Sequence, residues 1–238
     1  MRFVELKSQE QLDVQSLHRV RSRLVGVRTA LINQMRAVLL ERGIIVAQGR
    51  RKFEKALDEM FADDALFSPG RLRDLLLDMR AEWSALDRRI GALDQEFVQL
   101  ARTDEVARRL TSIPGVGALN ATALVAAVGK AEAFAQARDL GAWLGLVPRQ
   151  HTTGGKPRLL GISKRGNTYL RTLLIHGARA ALPSLAKADT PLGEWLRGLQ
   201  ARCHPNTVVV ALANKLARIA WVIMRRETTF SAQRTANA

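Results

Sequence analysis

The chain has 238 residues, of which 37 are lysine or arginine and 22 are aspartate or glutamate, so its formal net charge is +15. A hydrophobic content of 47% excludes a disordered chain, and a single cysteine excludes an intrachain disulfide and a cysteine-based zinc cluster. A field this positive attracts polyanions, and nucleic acid is therefore the expected partner.

A membrane is not an expected partner. The first residues, MRFVELKSQEQL, contain no apolar run of the kind found in a signal peptide. No uncharged apolar stretch reaches the ~20 residues that a membrane span needs. The nearest, 207–224, is interrupted by Lys215 and Arg218. The single cysteine fits the reducing cytoplasm.

The first predicted helix covers 17–38, and Gly43 is predicted to end it. Its apolar residues recur at steps of three and four, and arginines such as Arg21 and Arg28 are assigned to the other face. The apolar positions are Leu17, Val20, Leu24, Val27, Leu31, Met35 and Val38.

A shorter helix is predicted over 53–67, and it carries several carboxylates, including the adjacent Asp63 and Asp64. Adjacent residues on a helix point in different directions, whereas two-metal phosphoryl-transfer chemistry needs several carboxylates converging on one point. The four histidines show no ligand spacing either. No metal site is therefore predicted.

A long helix is predicted after Ser68 and Pro69, which match an N-cap and a first-turn proline. Its apolar residues repeat every seven positions in two interleaved series, the pattern of a coiled coil. Large residues on the seam favour an antiparallel pairing, within the chain or between two copies. Residues 1–104 are thus predicted to form a helical coiled-coil segment that makes the chain a homo-oligomer. The series are Leu72, Met79, Leu86, Leu93 and Leu100, and Leu76, Trp83, Ile90 and Phe97.

A second region is predicted over 105–230, with a disordered tail at 231–238. Helices are expected at 119–128, 135–145 and 168–181, around Trp195 after a linker bracketed by Pro183 and Pro191, and from Pro205 to Arg226. Strand alternation is limited to 144–148 and 158–162. The predicted fold class is mostly α: long coiled-coil helices followed by a small helical DNA-binding domain that contains a helix-hairpin-helix.

The segment IPGVG supplies a glycine-rich turn, with Gly115, Val116 and Gly117, ahead of the helix at 119–128. Glycines allow another backbone to approach closely, and free amides at a helix start can bind phosphate. Helix-hairpin-helix elements hold a DNA backbone in this way without reading its sequence. The alternative is an ordinary tight turn between two packed helices.

The segment GLVPRQHTTGGKPRLLGISKRGN, 145–167, is predicted to be a basic, glycine-rich loop. Gly154 and Gly155 give it freedom to follow a phosphate backbone, His151 is a candidate general base or phosphate donor, and Thr152 and Thr153 offer hydroxyls. A solvated basic face is the alternative. Between Leu140 and Ala188 there is no acid, and the cations are Arg149, Lys156, Arg158, Lys164, Arg165, Arg171, Arg179 and Lys187.

Three stretches of the second region together resemble one known family. They are LTSIPGVGALNATALVAAVG, ARDLGAWLGLVPRQHTTGGKPRLLGISKRGNTYLRTLLIHGARA and ANKLARIAWVIM. In order and spacing, 105–226 resembles the C-terminal region of the DEDD insertion-sequence transposases, which are related to the Piv/MooV site-specific DNA invertases. The helix at 10–48 and the heptad helix resemble the family's middle region, a coiled coil used in dimerisation.

The resemblance implies a transposase acting in DNA transposition and recombination, in the bacterial cytoplasm at the nucleoid. A complete member has an N-terminal RuvC-like domain, whose four acids bind magnesium, and a serine nucleophile in its C-terminal domain. The implied partners are DNA, a second copy through the coiled coil, a RuvC-like or full-length partner and, as in some members, a guide RNA.

The chain departs from this family pattern in two ways. We expect this chain to lack the RuvC-like domain, so magnesium is expected only with a partner domain, and the chain alone is expected to lack strand-cleaving activity. Where many relatives have serine before the paired glycines, this chain has Thr152 and Thr153. Thr153 directly precedes Gly154 and is the better match to the nucleophile position, with Thr152 as the second candidate.

Two alternatives stay open at this point. One is a non-catalytic module that bridges two DNA or RNA segments through its coiled coil. The other is a dominant-negative regulator that forms mixed dimers with a full-length relative. Replacing both threonines with alanine would change nothing in a bridging module, whereas it would abolish recombination by a transposase and leave binding intact.

Overall fold

A computed structural model describes residues 6–62, 69–129 and 131–232. Strands within these residues are confined to one antiparallel hairpin, so the prediction of a mostly α fold is confirmed. In chain order the elements are α1 (Gln9–Leu40), α2 (Arg50–Ala62), α3 (Arg71–Thr103), α4 (Glu105–Leu110), α5 (Ala118–Val128), α6 (Ala137–Trp143), β1 (Pro148–Thr153), β2 (Lys156–Ile162), α7 (Thr168–Lys187), α8 (Pro191–Gln200) and α9 (Pro205–Arg226).

The described residues form two compact units. The first unit consists of residues 16–95, which include most of α1, the whole of α2 and most of α3. The second unit consists of residues 6–15 and 96–232, which contain α4 to α9 and the hairpin. Each unit has its own hydrophobic core.

In the first unit α1 and α3 run antiparallel, as two ion pairs between them show. Arg21 pairs with Asp94, and Arg28 pairs with Asp87 at 2.7 Å. Moving seven residues forward along α1 corresponds to moving seven residues back along α3, which only antiparallel helices allow. The antiparallel arrangement is therefore present within the chain, and an additional pairing between two copies stays a prediction.

The core of the first unit contains most of the predicted heptad seam of α3. Leu76, Met79, Trp83, Leu86 and Ile90 are all buried. Trp83 stacks on Phe53 of α2 with ring centroids 6.1 Å apart. The guanidinium groups of Arg80 and Arg36 lie over the rings of Trp83 and Phe53, respectively.

The predicted apolar face of α1 is partly wrong. Val20 and Val27 are 39% and 38% exposed, whereas Ile32 and Leu39, which the pattern omitted, are buried with Leu24, Leu31 and Met35. α1 is rotated about its axis relative to the prediction, because Arg21 and Arg28, which were assigned to the opposite face, form ion pairs with carboxylates on α3.

The second unit packs its helices around α9. Ten residues of α9 are buried, from Val208 to Met224. By length and composition alone α9 could cross a membrane, but its most apolar window is 56% buried inside the protein and contains Lys215 and Arg218. The helix is the central core element of this unit.

Several predicted helix limits need correction. α7 continues through Pro183 to Lys187, where a linker was expected, because Leu185 and Ala186 beyond the proline remain packed in the core. α3 begins at Arg71, so Pro69 lies before the helix and not in its first turn. Residues 63–68, including Asp63, Asp64 and Ser68, lie outside the described residues, as does the predicted tail from 233 onward.

Candidate nucleic-acid interface

The basic segment predicted as a loop is a β-hairpin. β1 and β2 pair antiparallel, and Gly154 and Gly155 form the two-residue turn between them. Their φ angles are +55° and +74°, and positive φ at both central residues is what a type I′ hairpin turn requires. The expectation of a loop is wrong because the paired glycines permit the tight turn that lets the flanking residues pair.

The two threonines lie on opposite faces of the hairpin, because adjacent strand residues alternate, and the register gives each of them its neighbours. Thr153 pairs with Lys156 and His151 pairs with Arg158, and directly paired residues project from the same side of a sheet. These four residues define the cationic face of the hairpin: His151, Thr153, Lys156 and Arg158.

Thr152 belongs to the opposite face of the hairpin. It pairs with Pro157, and its neighbour on that face, Gln150, pairs with Leu159. The Gln150 amide donates a hydrogen bond to the Thr152 hydroxyl at 3.1 Å, as expected for residues two apart on a strand. The two candidate hydroxyls are thus in different surroundings: Thr153 among cations, and Thr152 beside an amide, a proline and a leucine.

The hairpin is open to solvent and carries uncompensated positive charge. Every residue from Pro148 to Gly161 is exposed. Among the described residues, no carboxylate forms an ion pair with the cations of the hairpin or its base. Both threonine hydroxyls are accessible. These cations are Arg149, Lys156, Arg158, Lys164 and Arg165.

The base of the hairpin is held tightly by the second unit. The carbonyl oxygen of Arg165 leaves no space for a side chain on Gly145, and that of Trp143 leaves none on Gly166. Both glycines have positive φ. The Asn214 amide of α9 donates to the Leu146 carbonyl oxygen at 3.1 Å. An exposed hairpin therefore stands on a closely packed stem.

Arg171 is part of this stem and not of the basic surface. It is buried, and its Nη1 donates to the carbonyl oxygens of Leu144 at 2.9 Å and Arg165 at 3.3 Å. Its place in the predicted cationic set is therefore wrong. Arg179 and Lys187 are exposed on α7, ~12 and ~24 Å further along the helix at 1.5 Å per residue.

The IPGVG turn joins α4 to α5 and packs against α7. Gly115 has a φ of +88°, and a Cβ on it would lie 2.6 Å from the carbonyl oxygen of Gly177. Val116 is buried, and its amide donates to the Ile113 carbonyl oxygen. Gly117 is exposed at the N-cap of α5, where it offers no side chain to the first helical amides. Gly115 and Val116 thus contribute to packing, and Gly117 faces solvent.

Sequence comparison identifies the family of this chain. The model of the family described as Transposase IS116/IS110/IS902 matches residues 107–190. A probable family 20 transposase of Pseudomonas aeruginosa is 46% identical over 231 residues, which cover 97% of this chain and 68% of that protein. The chain belongs to the IS116/IS110/IS902 transposase family. The matched residues 107–190 include the IPGVG turn, the hairpin and α7.

Two further transposases are similar along nearly the whole chain. The transposase for insertion sequence element IS1111A of Coxiella burnetii is 44% identical, with 97% of this chain and 63% of that protein covered. The transposase for insertion sequence element IS1328 of Yersinia enterocolitica is 41% identical, with 97% of this chain and 68% of that protein covered. The chain therefore spans roughly two thirds of the length of these transposases.

The described part of this transposase-family chain contains no group of three or more histidine, cysteine, aspartate or glutamate side chains placed to hold a metal ion. The acids of α2 are engaged in ion pairs instead: Glu54 and Asp58 contact Arg80, and Glu59 contacts Lys55.

Sequence reasoning missed three groups that shape this interface. Arg171 was counted as a surface cation, and Asn120, which donates to the carbonyl oxygens of Gly115 and Leu173, was not considered. Lys215 and Arg218 were noted only as interruptions of an apolar stretch. The sequence does contain a feature that could have drawn attention to Lys215 and Arg218, since they are two cations three residues apart in an otherwise apolar helix.

Proposed function

We propose that the chain provides the DNA-binding and strand-transferring part of an insertion-sequence transposase, with the cationic face of the hairpin on the phosphate backbone. The observation that carries the proposal is the register that groups Thr153 with His151, Lys156 and Arg158 on one exposed face. The family supports the reaction class, and the exposed charge supports contact with a polyanion.

Phosphate contacts of this kind fix position without reading sequence. Lys156 and Arg158 supply charge-assisted hydrogen bonds to phosphate oxygens. Arg149, Lys164 and Arg165 extend the positive surface towards the stem. The exposed Gly117 and the first amides of α5 form a second place where a phosphate is proposed to bind. The same proposal includes a guide RNA as a partner and a second copy of the chain that pairs through the coiled coil.

Thr153 is proposed as the nucleophile. Its Oγ1 attacks a DNA phosphorus, so that a threonine–phosphate ester forms and the bond to one deoxyribose oxygen breaks. The threonine proton passes to a base, for which His151 on the same face is the candidate, and the departing sugar oxygen takes a proton from water. Lys156 and Arg158 stabilise the negative charge that develops on the phosphate oxygens. Thr152, on the opposite face, is proposed to have no chemical part.

In this proposal, any metal ion is bound by carboxylates other than those of the described residues. The described residues contain no cluster suited to magnesium, and no step above passes through one. Any magnesium-dependent part of strand cleavage is proposed to use the acids of a RuvC-like partner. The DEDD and Piv/MooV relationship is part of the same proposal.

The test compares Thr153→Ala, Thr153→Ser and Thr152→Ala in a recombination assay with a donor plasmid carrying the element's ends. A RuvC-like partner is supplied in every arm, because the chain alone is expected not to cleave DNA. We expect Thr153→Ala to reduce recombination by about 100-fold or more, while Thr153→Ser and Thr152→Ala retain it. DNA binding by all three variants should stay within about two-fold of the unsubstituted chain, because no cation is lost.

Three results would contradict the proposal in different ways. Loss of recombination in Thr152→Ala but not in Thr153→Ala would identify Thr152, on the opposite face, as the nucleophile. Full recombination in both alanine variants would exclude a threonine nucleophile. Full recombination together with steep, sequence-independent binding would favour the non-catalytic bridging module.

A further inference from the structure

Two cations on α9 stand apart from the hairpin and have no counter-ion in the described structure. Lys215 and Arg218 are each partly buried and lie three residues apart, so they project from neighbouring positions on one side of the helix. Within the residues that the structure describes, neither side chain forms an ion pair or a hydrogen bond. By contrast, Arg225 on the same helix pairs with Glu132 at 3.8 Å.

The surroundings of the pair disfavour its own positive charge. Burial lowers the pKa of the Lys215 ammonium, and the nearby Arg218 lowers it further. The Nε of Arg218 is buried with no acceptor. Taking charge out of water without a partner is unfavourable, and two like charges one helical turn apart repel each other. Two apolar residues at these positions would serve the core better, so packing does not account for the pair.

Neighbouring side chains fix where this pair lies. Lys215 Nζ lies 5.2 Å from the centroid of the Trp195 ring of α8, an arrangement that orients the ammonium. Arg218 is four residues after Asn214 and shares its side of α9, and Asn214 binds the carbonyl oxygen of Leu146 just before β1. The pair is therefore on the part of α9 that supports the hairpin stem.

We propose that Lys215 and Arg218 form a phosphate subsite that holds one phosphate of the duplex DNA backbone, separate from the cationic face of the hairpin. This inference rests on the proposed function, because it takes DNA as the polyanion. A phosphate would supply acceptors for both cations at once and would remove their mutual repulsion.

The first experiment uses free anion and needs no DNA. Inorganic pyrophosphate should raise the melting temperature of the unsubstituted chain more than it raises that of Lys215→Gln/Arg218→Gln. Without anion, the double variant should melt at the same temperature as the unsubstituted chain or higher, since the repulsion is gone. Arg225→Gln removes one positive charge from the same helix, at a residue that is already paired with a carboxylate. This control variant should keep the response to pyrophosphate. An equal pyrophosphate response in the double variant would overturn the inference.

The second experiment measures duplex DNA affinity against salt concentration. The slope of log K against log salt should become shallower by about one in the double variant and stay near the original value in Arg225→Gln. If the unsubstituted chain binds DNA steeply and the double variant has the same slope, the subsite is excluded while the proposed function stands. If the unsubstituted chain does not bind DNA, the proposed function fails first.

Two further comparisons keep the test decisive. A change of slope on single-stranded RNA but not on duplex DNA would overturn the choice of DNA. If the double variant does not fold, Lys215→Gln alone is measured, and an unchanged slope together with an unchanged pyrophosphate response would count against the subsite. Lys215→Arg keeps the charge, so it should retain both the pyrophosphate response and the salt slope of the unsubstituted chain.

Discussion

The guanidinium of Arg171 in α7 lies 2.9 Å from the carbonyl oxygen of Leu144, just before the hairpin, and also reaches the carbonyl oxygen of Arg165 just after it. One buried side chain therefore joins the two ends of the stem. Every residue from 148 to 161 is open to solvent, so the strands are held only at their base, by this contact together with the Asn214 amide on Leu146.

Arg171→Met should loosen the hairpin more than it unfolds the unit. It leaves the buried carbonyl oxygen of Leu144 and the partly buried one of Arg165 without their charged donor, which costs about 2 kcal/mol in free energy of unfolding. Amide hydrogen exchange in 146–165 should become faster and DNA affinity should fall. Arg179→Met removes an exposed cation from the same helix and serves as the control for lost charge. Equal exchange rates in the two variants would show that Arg171 does not hold the stem.

Gly177→Ala should destabilise the second unit. A Cβ on Gly177 would collide with the carbonyl oxygen of Gly115, so the IPGVG turn would have to move away from α7. Overpacking of this kind costs about 1 to 3 kcal/mol. Gly198→Ala in α8 meets nothing within 4 Å and should be neutral or stabilise by up to about 1 kcal/mol. Urea denaturation of both variants provides the measurement, and equal stability would refute the close packing.

The hairpin turn should accept asparagine but not alanine. Gly154 and Gly155 both have positive φ and open space around them, so conformation and not volume limits substitution. Gly154→Asn keeps a residue that tolerates the type I′ turn, whereas Gly154→Ala/Gly155→Ala does not. The alanine variant should lose strand protection in hydrogen exchange and bind DNA more weakly. Retained protection there would show that the pairing does not depend on this turn.

His18 should make the chain sensitive to mild acid. Burial, with a smaller contribution from Arg21, lowers the pKa of this imidazole from 6.5 to about 4. The unfolded chain takes up a proton as the pH falls through about 6.5, and the folded chain does so only near pH 4, so stability falls across that window. The loss amounts to about 3 kcal/mol at most. His18→Gln should flatten this part of the stability profile measured by denaturant titration. An unchanged pH dependence would contradict the assignment to His18.

Periodicity was sufficient to predict the long helices α1 and α3, and the heptad positions of α3 from Leu76 to Ile90 are confirmed as core, whereas the short α4 was not predicted. Periodicity failed where partners decide the orientation of a helix. The face of α1 turned because Arg21 and Arg28 meet acids that are 73 and 59 residues away in sequence. Pro183 failed as a helix breaker because packing of the residues after it outweighs one missing hydrogen bond.

The candidate site was predictable in composition but not in geometry. The paired glycines, the cations and the absence of acids are visible in the sequence, and the alternation at 158–162 falls within β2, yet the polar residues of β1 after Pro148 give no alternation to detect. Strand alternation places Thr152 and Thr153 on opposite faces, and the register, which the turn sets, decides that Lys156 and Arg158 lie on the face of Thr153. The burial of Arg171 depends on carbonyl groups that approach through the fold, and no local pattern indicates them.

The most direct measurement of the central claim is the salt dependence of duplex DNA binding by the unsubstituted chain and by Lys156→Gln/Arg158→Gln. If the cationic face of the hairpin lies on the DNA backbone, binding at low ionic strength is strong and the slope of log K against log salt becomes shallower by about two in the variant. Lys55→Gln removes one positive charge from an ion pair with Glu59 on the first unit, serves as the control for charge lost away from the hairpin, and should retain the original slope. No binding at low salt, or the same slope in the hairpin variant, would contradict the account.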